Sequence, residues 1–199
     1  MGFSTIIDIL GSIIISGILM TIAWRLSDTA AEKTFNNTGE LTLQENLLTS
    51  AEIIEYDFRK IGYCANPNNL PNPTRSIPFA DTSRITFYTD VNSDGNVDTV
   101  RYYLGSVDEL ASTPNPRDRM LYRVINSEQP RSANLGITKF YMKYFDVFDE
   151  EIPPPVTLPG LIASIEITLV VENTSAYNEE YSNAIWRQIR LASRNINTR

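Results

Sequence analysis

The spacing of hydrophobic and polar residues changes along the chain, and each spacing predicts a different element. From Ile9 to Trp24 no residue is charged. A helix rises about 1.5 Å per residue, so this run spans roughly 24 Å, and with residues 2–8 it reaches the bilayer core thickness of about 30 Å. The run therefore predicts a membrane-spanning helix over residues 3–26.

The flanks of the apolar run predict that it is retained in the mature protein. A secretory signal peptide has a basic region before its apolar run and small residues at the cleavage site after it. No lysine or arginine precedes Ile9, and the segment Trp24-Arg25-Leu26 is a poor signal-peptidase site. We therefore expect the helix to serve as an anchor or an assembly element.

A helical period predicts that the helix continues over residues 27–62. Apolar residues with spacings of 4, 3, 4 and 3 form one stripe, which Leu43 extends backward: Leu47, Ala51, Ile54, Phe58 and Ile61. The opposite side carries Glu45, Glu52, Glu55, Asp57 and Lys60. We expect a half-buried helix that ends at Gly62. Before it, Asn36, Asn37 and Gly39 predict either a bend or a melted segment.

Beyond a loop rich in proline and asparagine, the hydrophobic period changes to two. This alternation predicts strands over residues 84–89, 99–104, 120–125, 138–145, 164–171 and 185–193. It also predicts an antiparallel sheet with one covered face and one wet face, the helix stripe being the cover. The expected fold is α+β: a long N-terminal helix, membrane-embedded in its first half, packed on an antiparallel β domain of residues 63–199.

The composition excludes most catalytic chemistry. The chain of 199 residues has 17 basic and 24 acidic residues, a net charge of −7, which argues against nucleic acid as a partner. It has no histidine and one cysteine, Cys64, which excludes imidazole bases, histidine-ligated zinc, thiolate clusters and an intramolecular disulfide. The common nucleotide-binding and hydrolase motifs are absent. We expect no catalytic residue and no enzymatic activity.

One segment has the spacing of a calcium-binding loop. The pattern D-x-[DN]-x-[DN]-G brings alternate oxygen ligands around Ca²⁺, and here its candidate ligands are Asp90, Asn92, Asp94, Asn96 and Asp98. The twelfth position is Arg101, where an EF-hand has a bidentate glutamate, and the flanks read as strands. The alternative is a polar hairpin loop whose residues tolerate left-handed backbone. Calcium is thus the one candidate cofactor.

The order of these features resembles the type IV pilin superfamily over nearly the whole chain. Gly2-Phe3 resembles the junction that prepilin peptidase cuts, and residues 3–7 (FSTII) resemble the start of a mature pilin helix. Residues 57–63 (DFRKIGY) are similar to the helix end of PilW-like minor pilins. Residues 85–90 (ITFYTD) and 100–104 (VRYYL) resemble the first hairpin of those proteins.

The resemblance implies roles for three residues near the N-terminus. Met1-Gly2 would be a leader remnant, with cleavage after Gly2 and N-methylation of Phe3. The leader lacks the usual basic residues, so either the true start lies upstream or processing is not standard. The family carries an assembly glutamate five residues into the mature chain, where this chain has Ile7, and Asp8 follows one place later. Asp8 either serves from the adjacent position or the salt bridge is missing, which would suit a tip or initiating subunit.

The function that the resemblance implies is structural. The chain is expected to be a minor pilin or a type II secretion minor pseudopilin, with other pilins or pseudopilins, prepilin peptidase and an inner-membrane assembly platform as partners. Its expected location is the bacterial inner membrane, as a single-pass protein with the globular domain outside the cytoplasm, and then the pilus or pseudopilus.

Two other classes of function stay open from the residues alone. One is a membrane-anchored envelope domain, calcium-binding or not, that does not polymerise. The other is a metal-assisted hydrolase that uses Asp90 and Asp94.

Overall fold

A computed structural model describes residues 2–70, 72–173 and 183–191 of the chain. The chain forms two compact units, Met1–Leu41 and Thr42–Arg199. One long helix, α1 (Gly2–Arg59), supplies most of the first unit and opens the second. The fold is α+β, as the hydrophobic periods predict, and its architecture is pilin-like.

Helix α1 continues through residues 36–39, which contradicts the predicted melted segment. Hydroxyl groups on this stretch donate to carbonyls four residues earlier, from Thr34 to Ala30 and from Thr38 to Thr34, at 2.9 Å each. The helix ends at Arg59, three residues before the predicted end. Gly62 then takes a φ of 75° and donates its backbone N–H to Tyr88 at 2.9 Å, which directs the chain away from the helix axis.

In the described residues of the second unit, eight strands form one antiparallel sheet. Their bounds are β1 (Phe79–Ala80), β2 (Arg84–Thr89), β3 (Asp98–Leu104), β4 (Arg119–Ile125), β5 (Arg131–Phe145), β6 (Glu151–Ile152), β7 (Ser164–Glu172) and β8 (Asn183–Leu191). The order across the sheet is β1-β2-β3-β4-β5-β7-β8, and β6 pairs with the end of β5. Short 3₁₀ turns lie at Pro67–Asn69, Pro73–Arg75, Val107–Leu110 and Pro159–Leu161.

The predicted strands are confirmed within one or two residues, except for β5. The predicted hairpin is also confirmed, because Thr89 pairs with Asp98 across its mouth. Strand β5 begins at Arg131, seven residues before the predicted start, and the two-residue strands β1 and β6 were not predicted. Residues 192 and 193 of the last predicted strand lie outside the described part of the chain.

The helix stripe covers one face of the sheet, as predicted. Leu43, Ile54, Phe58 and Ile61 are buried in the core cluster, and Leu47 packs against it. Phe58 meets two aromatic rings of the sheet, Phe87 at 5.4 Å and Tyr102 at 5.7 Å between ring centroids. Such edge and tilted contacts stabilise a core beyond the burial of apolar area, so the last turns of α1 are fixed to β2 and β3.

The prediction of one wet face is wrong at the middle of β7. Thr168 and Val170 point away from the helix side, yet both are buried. Long side chains of the paired strands flank them: Tyr141 and Arg187 pair with Thr168, and Lys139 pairs with Val170. The aliphatic and aromatic parts of such side chains cover apolar surface while their polar ends reach water.

The β4–β5 pairing contains an irregularity that shapes the surface beside the helix. Arg119 pairs with Ile137, but Leu121 pairs with Ala133, so β5 has two extra residues over this stretch. Gly136 takes a φ of 71°, a left-handed conformation that glycine adopts without strain. The extra residues bend β5 locally, as bulges do, and Leu135 lies in this bend.

Candidate functional site

The first half of α1 exposes apolar side chains all around its circumference. Ile9, Ile13, Ile14, Leu19 and Trp24 are among the exposed residues of this segment. By length and composition, α1 is the one helix in the described part of the chain that could cross a membrane, and no part of its most apolar window is buried. The chain can therefore be anchored in a membrane by a single N-terminal helix.

The three predicted N-terminal site residues all lie in this segment. Gly2 begins α1, and its carbonyl accepts a hydrogen bond from the Thr5 hydroxyl at 3.0 Å. Phe3 belongs to the first turn, and its side chain lies outside the described part of the structure. Asp8 is exposed, and its backbone carbonyl accepts a hydrogen bond from the Ser12 hydroxyl. Their predicted roles in cleavage, methylation and assembly stay predictions.

The loop with the calcium-like spacing is closed around Asp90. This side chain is 0% exposed, and its carboxylate accepts backbone N–H groups from Ala65 at 3.1 Å, Gly95 at 2.9 Å and Asp94 at 3.1 Å. Burial alone would raise the pKa of Asp90. The backbone donors outweigh burial and lower that pKa below its ordinary value.

Two other candidate ligands, Asp98 and Asp94, also accept hydrogen bonds. Asp98 accepts from the Val91 N–H at 3.0 Å and from the Asn126 side chain at 2.7 Å. Asp94 accepts from the Asn96 N–H at 2.7 Å and from the Asn92 amide at 2.9 Å. The bonds from the Val91 and Asn96 N–H groups satisfy backbone donors of the loop, and the bond from Asn96 has the spacing of an Asx turn.

This arrangement favours the polar hairpin turn over a calcium loop. A calcium site needs six to eight oxygens that converge on one point. Among the described residues, no group of three or more His, Cys, Asp or Glu side chains could hold a metal ion. Both oxygens of Asp90 face N–H groups, whose positive ends repel a cation. The ligand set Asp90, Asn92, Asp94, Asn96 and Asp98 stays a prediction.

A buried ionic group, which the sequence pattern did not predict, joins α1 to the sheet. Asp57 was expected on the wet side of the helix, but it is 3% exposed. Its Oδ2 accepts from the Arg123 Nε and from the Tyr102 hydroxyl, both at 2.6 Å, and its Oδ1 accepts from the Arg123 Nη2 at 3.0 Å. We call these three residues the Asp57 cluster.

The surroundings of Tyr102 and Arg123 keep both side chains protonated. Burial raises the pKa of Tyr102 well above its ordinary value, and the charge of Asp57 adds to this shift, so Tyr102 remains a donor. Hydrogen bonds to Asp57 raise the pKa of Arg123.

The sequence contained a signal that Asp57 could be buried. Position 57 lies three residues after Ile54 and four before Ile61, at the edge of the apolar stripe.

A groove lies next to the Asp57 cluster, between α1 and the bent start of β5. Its volume is about 310 Å³. Its apolar lining includes Ile53, Leu121, Leu135 and Ile137, and two arginines, Arg123 and Arg131, also line it. Ile53 is 48% exposed, and Arg131 forms a long ion pair of 3.5 Å with Glu128, in which both side chains are exposed. We call this site the β5 groove.

The opposite end of β5 carries an exposed apolar turn. Between β5 and β6, Phe148 is 82% exposed, and Val147 is also exposed. Asp146 holds the turn, because its Oδ1 accepts from the N–H groups of Phe148 at 2.8 Å and Glu150 at 2.9 Å. Asp149 has a φ of 70°, and its N–H donates to the Asp146 carbonyl at 3.2 Å. We call residues 146–150 the Phe148 turn.

No protein-family model, curated protein or solved structure matches this chain. Its architecture is pilin-like: a long apolar N-terminal helix whose last turns pack on an antiparallel sheet.

Proposed function

We propose that the chain is a structural minor pilin or minor pseudopilin, which enters a type IV pilus or a type II secretion pseudopilus through its N-terminal helix. The observation that supports this most is the combination within α1. Its first half exposes apolar side chains on all sides, and its last turns are buried against a sheet. The first half of α1 can then enter a membrane or a filament, and the last turns of α1 form a folded domain with the sheet.

The surface of residues 6–24 suits both a lipid environment and a bundle of like helices. Removing one isoleucine or leucine side chain from water is favourable by about 1.5 to 3 kcal/mol. Lipid and neighbouring helices remove this surface from water equally well, so the helix can leave the bilayer for a filament at small net cost. Gly11 and Gly17 have no neighbouring atoms where a Cβ would lie, and small residues allow close helix packing.

Asp8 is the residue on which incorporation into a filament depends in this proposal. A carboxylate at membrane depth costs about 2.5 to 3.5 kcal/mol. A free amino group on the neighbouring subunit would offset this cost by pairing with Asp8. Because Asp8 is displaced by one residue from the position that the pilin resemblance implies, the pairing is expected only at a special position in the filament. A tip or priming subunit has a neighbouring subunit on one side alone, so it needs the pairing of Asp8 with an amino group on that side only.

The proposal also gives the partners and the location. Prepilin peptidase cuts between Gly2 and Phe3, the new N-terminus is methylated, and an inner-membrane assembly platform adds the subunit to other pilins or pseudopilins. Before assembly the protein spans the bacterial inner membrane once, with the sheet outside the cytoplasm. The chain catalyses no reaction in this proposal, and nucleic acid is not a direct partner.

A second candidate is a membrane-anchored envelope domain that does not polymerise. The closed hydrogen bonding of the Asp90 loop and the lack of a metal cluster among the described residues favour a version of it without calcium. It shares the anchor and the sheet with the pilin proposal. It differs in keeping Met1 and Gly2 and in remaining in the membrane.

Processing of the N-terminus separates the two candidates. We would co-express the full chain with a prepilin peptidase and measure its intact mass. The pilin proposal predicts loss of Met1 and Gly2 and gain of one methyl group at Phe3. The matched control is Gly2→Val, which adds bulk at the bond to be cut, beside Gly17→Val, which adds the same bulk later in the helix. An unchanged mass of the wild-type chain in the presence of active peptidase would refute the pilin proposal.

A further inference from the structure

The Phe148 turn has the properties of a preformed binding element. Exposure of an apolar side chain to water is unfavourable, and Phe148 is 82% exposed. Four hydrogen bonds nevertheless hold the turn in the conformation that exposes it. A preorganised anchor loses little conformational entropy on binding. Three acidic residues of the turn, Asp146, Asp149 and Glu150, surround the apolar pair.

The β5 groove has the complementary properties. Its lining is mainly apolar, and its volume of about 310 Å³ exceeds the roughly 150 Å³ of a cavity that holds benzene. One phenylalanine ring with part of a turn therefore fits. Arg123 is already neutralised by Asp57. Arg131 lies at the rim with its side chain 74% exposed, and its ion pair with the exposed Glu128 is long, at 3.5 Å. Exposed ion pairs of this kind are weak, so a ligand would still meet the positive charge of Arg131.

We propose that the Phe148 turn of one copy docks into the β5 groove of a second copy of this chain. Phe148 would fill the apolar lining beside Ile53 and Leu135. Glu150 would approach Arg131 at the rim. The apolar centre and the opposite charges at the edge match the usual anatomy of a protein interface, and both halves are present on the same chain.

The position of the two sites makes the contact intermolecular. The groove lies beside the start of β5 and the turn follows its end. From Ile137 to Phe145 the strand spans roughly 26 Å at 3.3 Å per residue. Pairing with β4 and β7 keeps the strand extended, so Phe148 cannot reach the groove of its own chain. A contact between different surfaces is heterologous and repeats head to tail.

This contact does not rest on the proposed function. Both sites belong to the unit Thr42–Arg199, and neither involves the apolar half of α1. An anchored domain that never enters a filament would also form it, through neighbours in the same membrane. Failure of peptidase processing and failure of the docking contact are therefore separate results.

Photo-crosslinking on the full chain in detergent micelles tests the contact. The photoreactive p-benzoyl-phenylalanine would replace Phe148, and isotope-labelled and unlabelled copies would be mixed so that links between copies are recognised by mass spectrometry. We expect links to groove peptides that contain Ile53, Leu121 or Leu135. The matched control carries the same probe at Leu158, which is also exposed but lies outside the Phe148 turn.

A charge exchange at exposed positions, made in the chain that carries the probe at position 148, tests the same contact. Arg131→Glu and Glu150→Arg, each alone, are expected to lower the yield of cross-linked dimer about tenfold. The two substitutions together restore the opposite pairing, so the yield should return. Both side chains are exposed, and neither substitution disturbs the core.

Three results would overturn the proposal. The first is a set of links from position 148 that spread over the second copy without favouring the groove. The second is a yield between copies no higher than that of the Leu158 control. The third is a double charge variant whose yield stays as low as that of either single variant.

Discussion

The Asp57 cluster shows, at the scale of single residues, how a charge on an amphipathic helix can be hidden. Position 57 borders the apolar stripe, so the helical period alone is compatible with either a buried or an exposed side chain. Its partners Tyr102 and Arg123 lie 45 and 66 residues away in sequence. They become neighbours because β3 and β4 pair in register, Tyr102 with Arg123. No local pattern contains that information.

Asp57→Ala is expected to be strongly destabilising. It would leave the Arg123 guanidinium and the Tyr102 hydroxyl without their acceptor, and an unpaired charge in a buried position costs about 3 kcal/mol. Urea unfolding followed by near-UV circular dichroism would measure the change in the free energy of unfolding.

The matched control for this prediction is the ion pair of Glu55 and Arg59, which lie two residues before and after Asp57 on the more exposed side of the helix. Glu55→Ala is expected to cost only about 0.3 to 0.5 kcal/mol. Losses of similar size in the two variants would contradict the view that the Asp57 cluster fixes α1 to the sheet.

At the scale of elements, the hairpin between β2 and β3 shows the limit of a sequence motif. Aspartate and asparagine at alternate positions before a glycine place oxygens on the inside of a tight turn. Those oxygens can face a cation or backbone N–H groups, and the same sequence motif is compatible with both arrangements. Here Ser93 has a φ of 61° and Gly95 a φ of 89°, which turns the N–H groups of the loop toward Asp90. The choice depends on backbone angles that the motif does not specify.

Asp90→Ala is expected to lower the Tm of the sheet by several degrees at neutral pH. The pKa of Asp90 is lowered in the folded state, so its contribution is present above the ordinary value of 3.8 and is lost as pH falls through the lower folded value. The difference in Tm between wild type and variant should therefore shrink in acid. Thermal unfolding between neutral pH and strong acid would measure it.

The control for the loop is Asn96→Ala, an exposed position in the same hairpin, which should leave Tm nearly unchanged. Both variants and the wild type would also be heated with added Ca²⁺. The turn interpretation predicts no effect of calcium. A rise in the wild-type Tm that both substitutions abolish would instead support the calcium ligand set.

At the scale of the whole molecule, the change of hydrophobic period from helical to alternating was enough to predict the α+β fold and six of the strands. The misses have physical causes. Strands β1 and β6 have two residues each, too few to show a period. The first half of β5 contains a register shift and Gly136, which interrupt the alternation. The β5 groove arises at this irregularity, so it could not be predicted either.

Anchoring by the first half of α1 is expected to fail when one charge is placed in it. Ile14→Asp puts a carboxylate near the middle of the apolar run at a cost of about 3 kcal/mol. The wild-type chain should stay in the membrane pellet after alkaline carbonate extraction, and a large part of the variant should be released. Leu48→Asp is the control, an equally exposed position of α1 outside the run. Equal release of the two variants would argue against a membrane-spanning helix.

The joint at the last turns of α1 has a mechanical consequence. The ionic contacts of Asp57 and the aromatic contacts of Phe58 belong to adjacent residues. A force that pulls this helix end off the sheet must therefore break both kinds of contact within one step. Bonds that load together resist more tension than bonds that open in sequence. The helix should detach from the sheet in a single abrupt rupture, without gradual peeling.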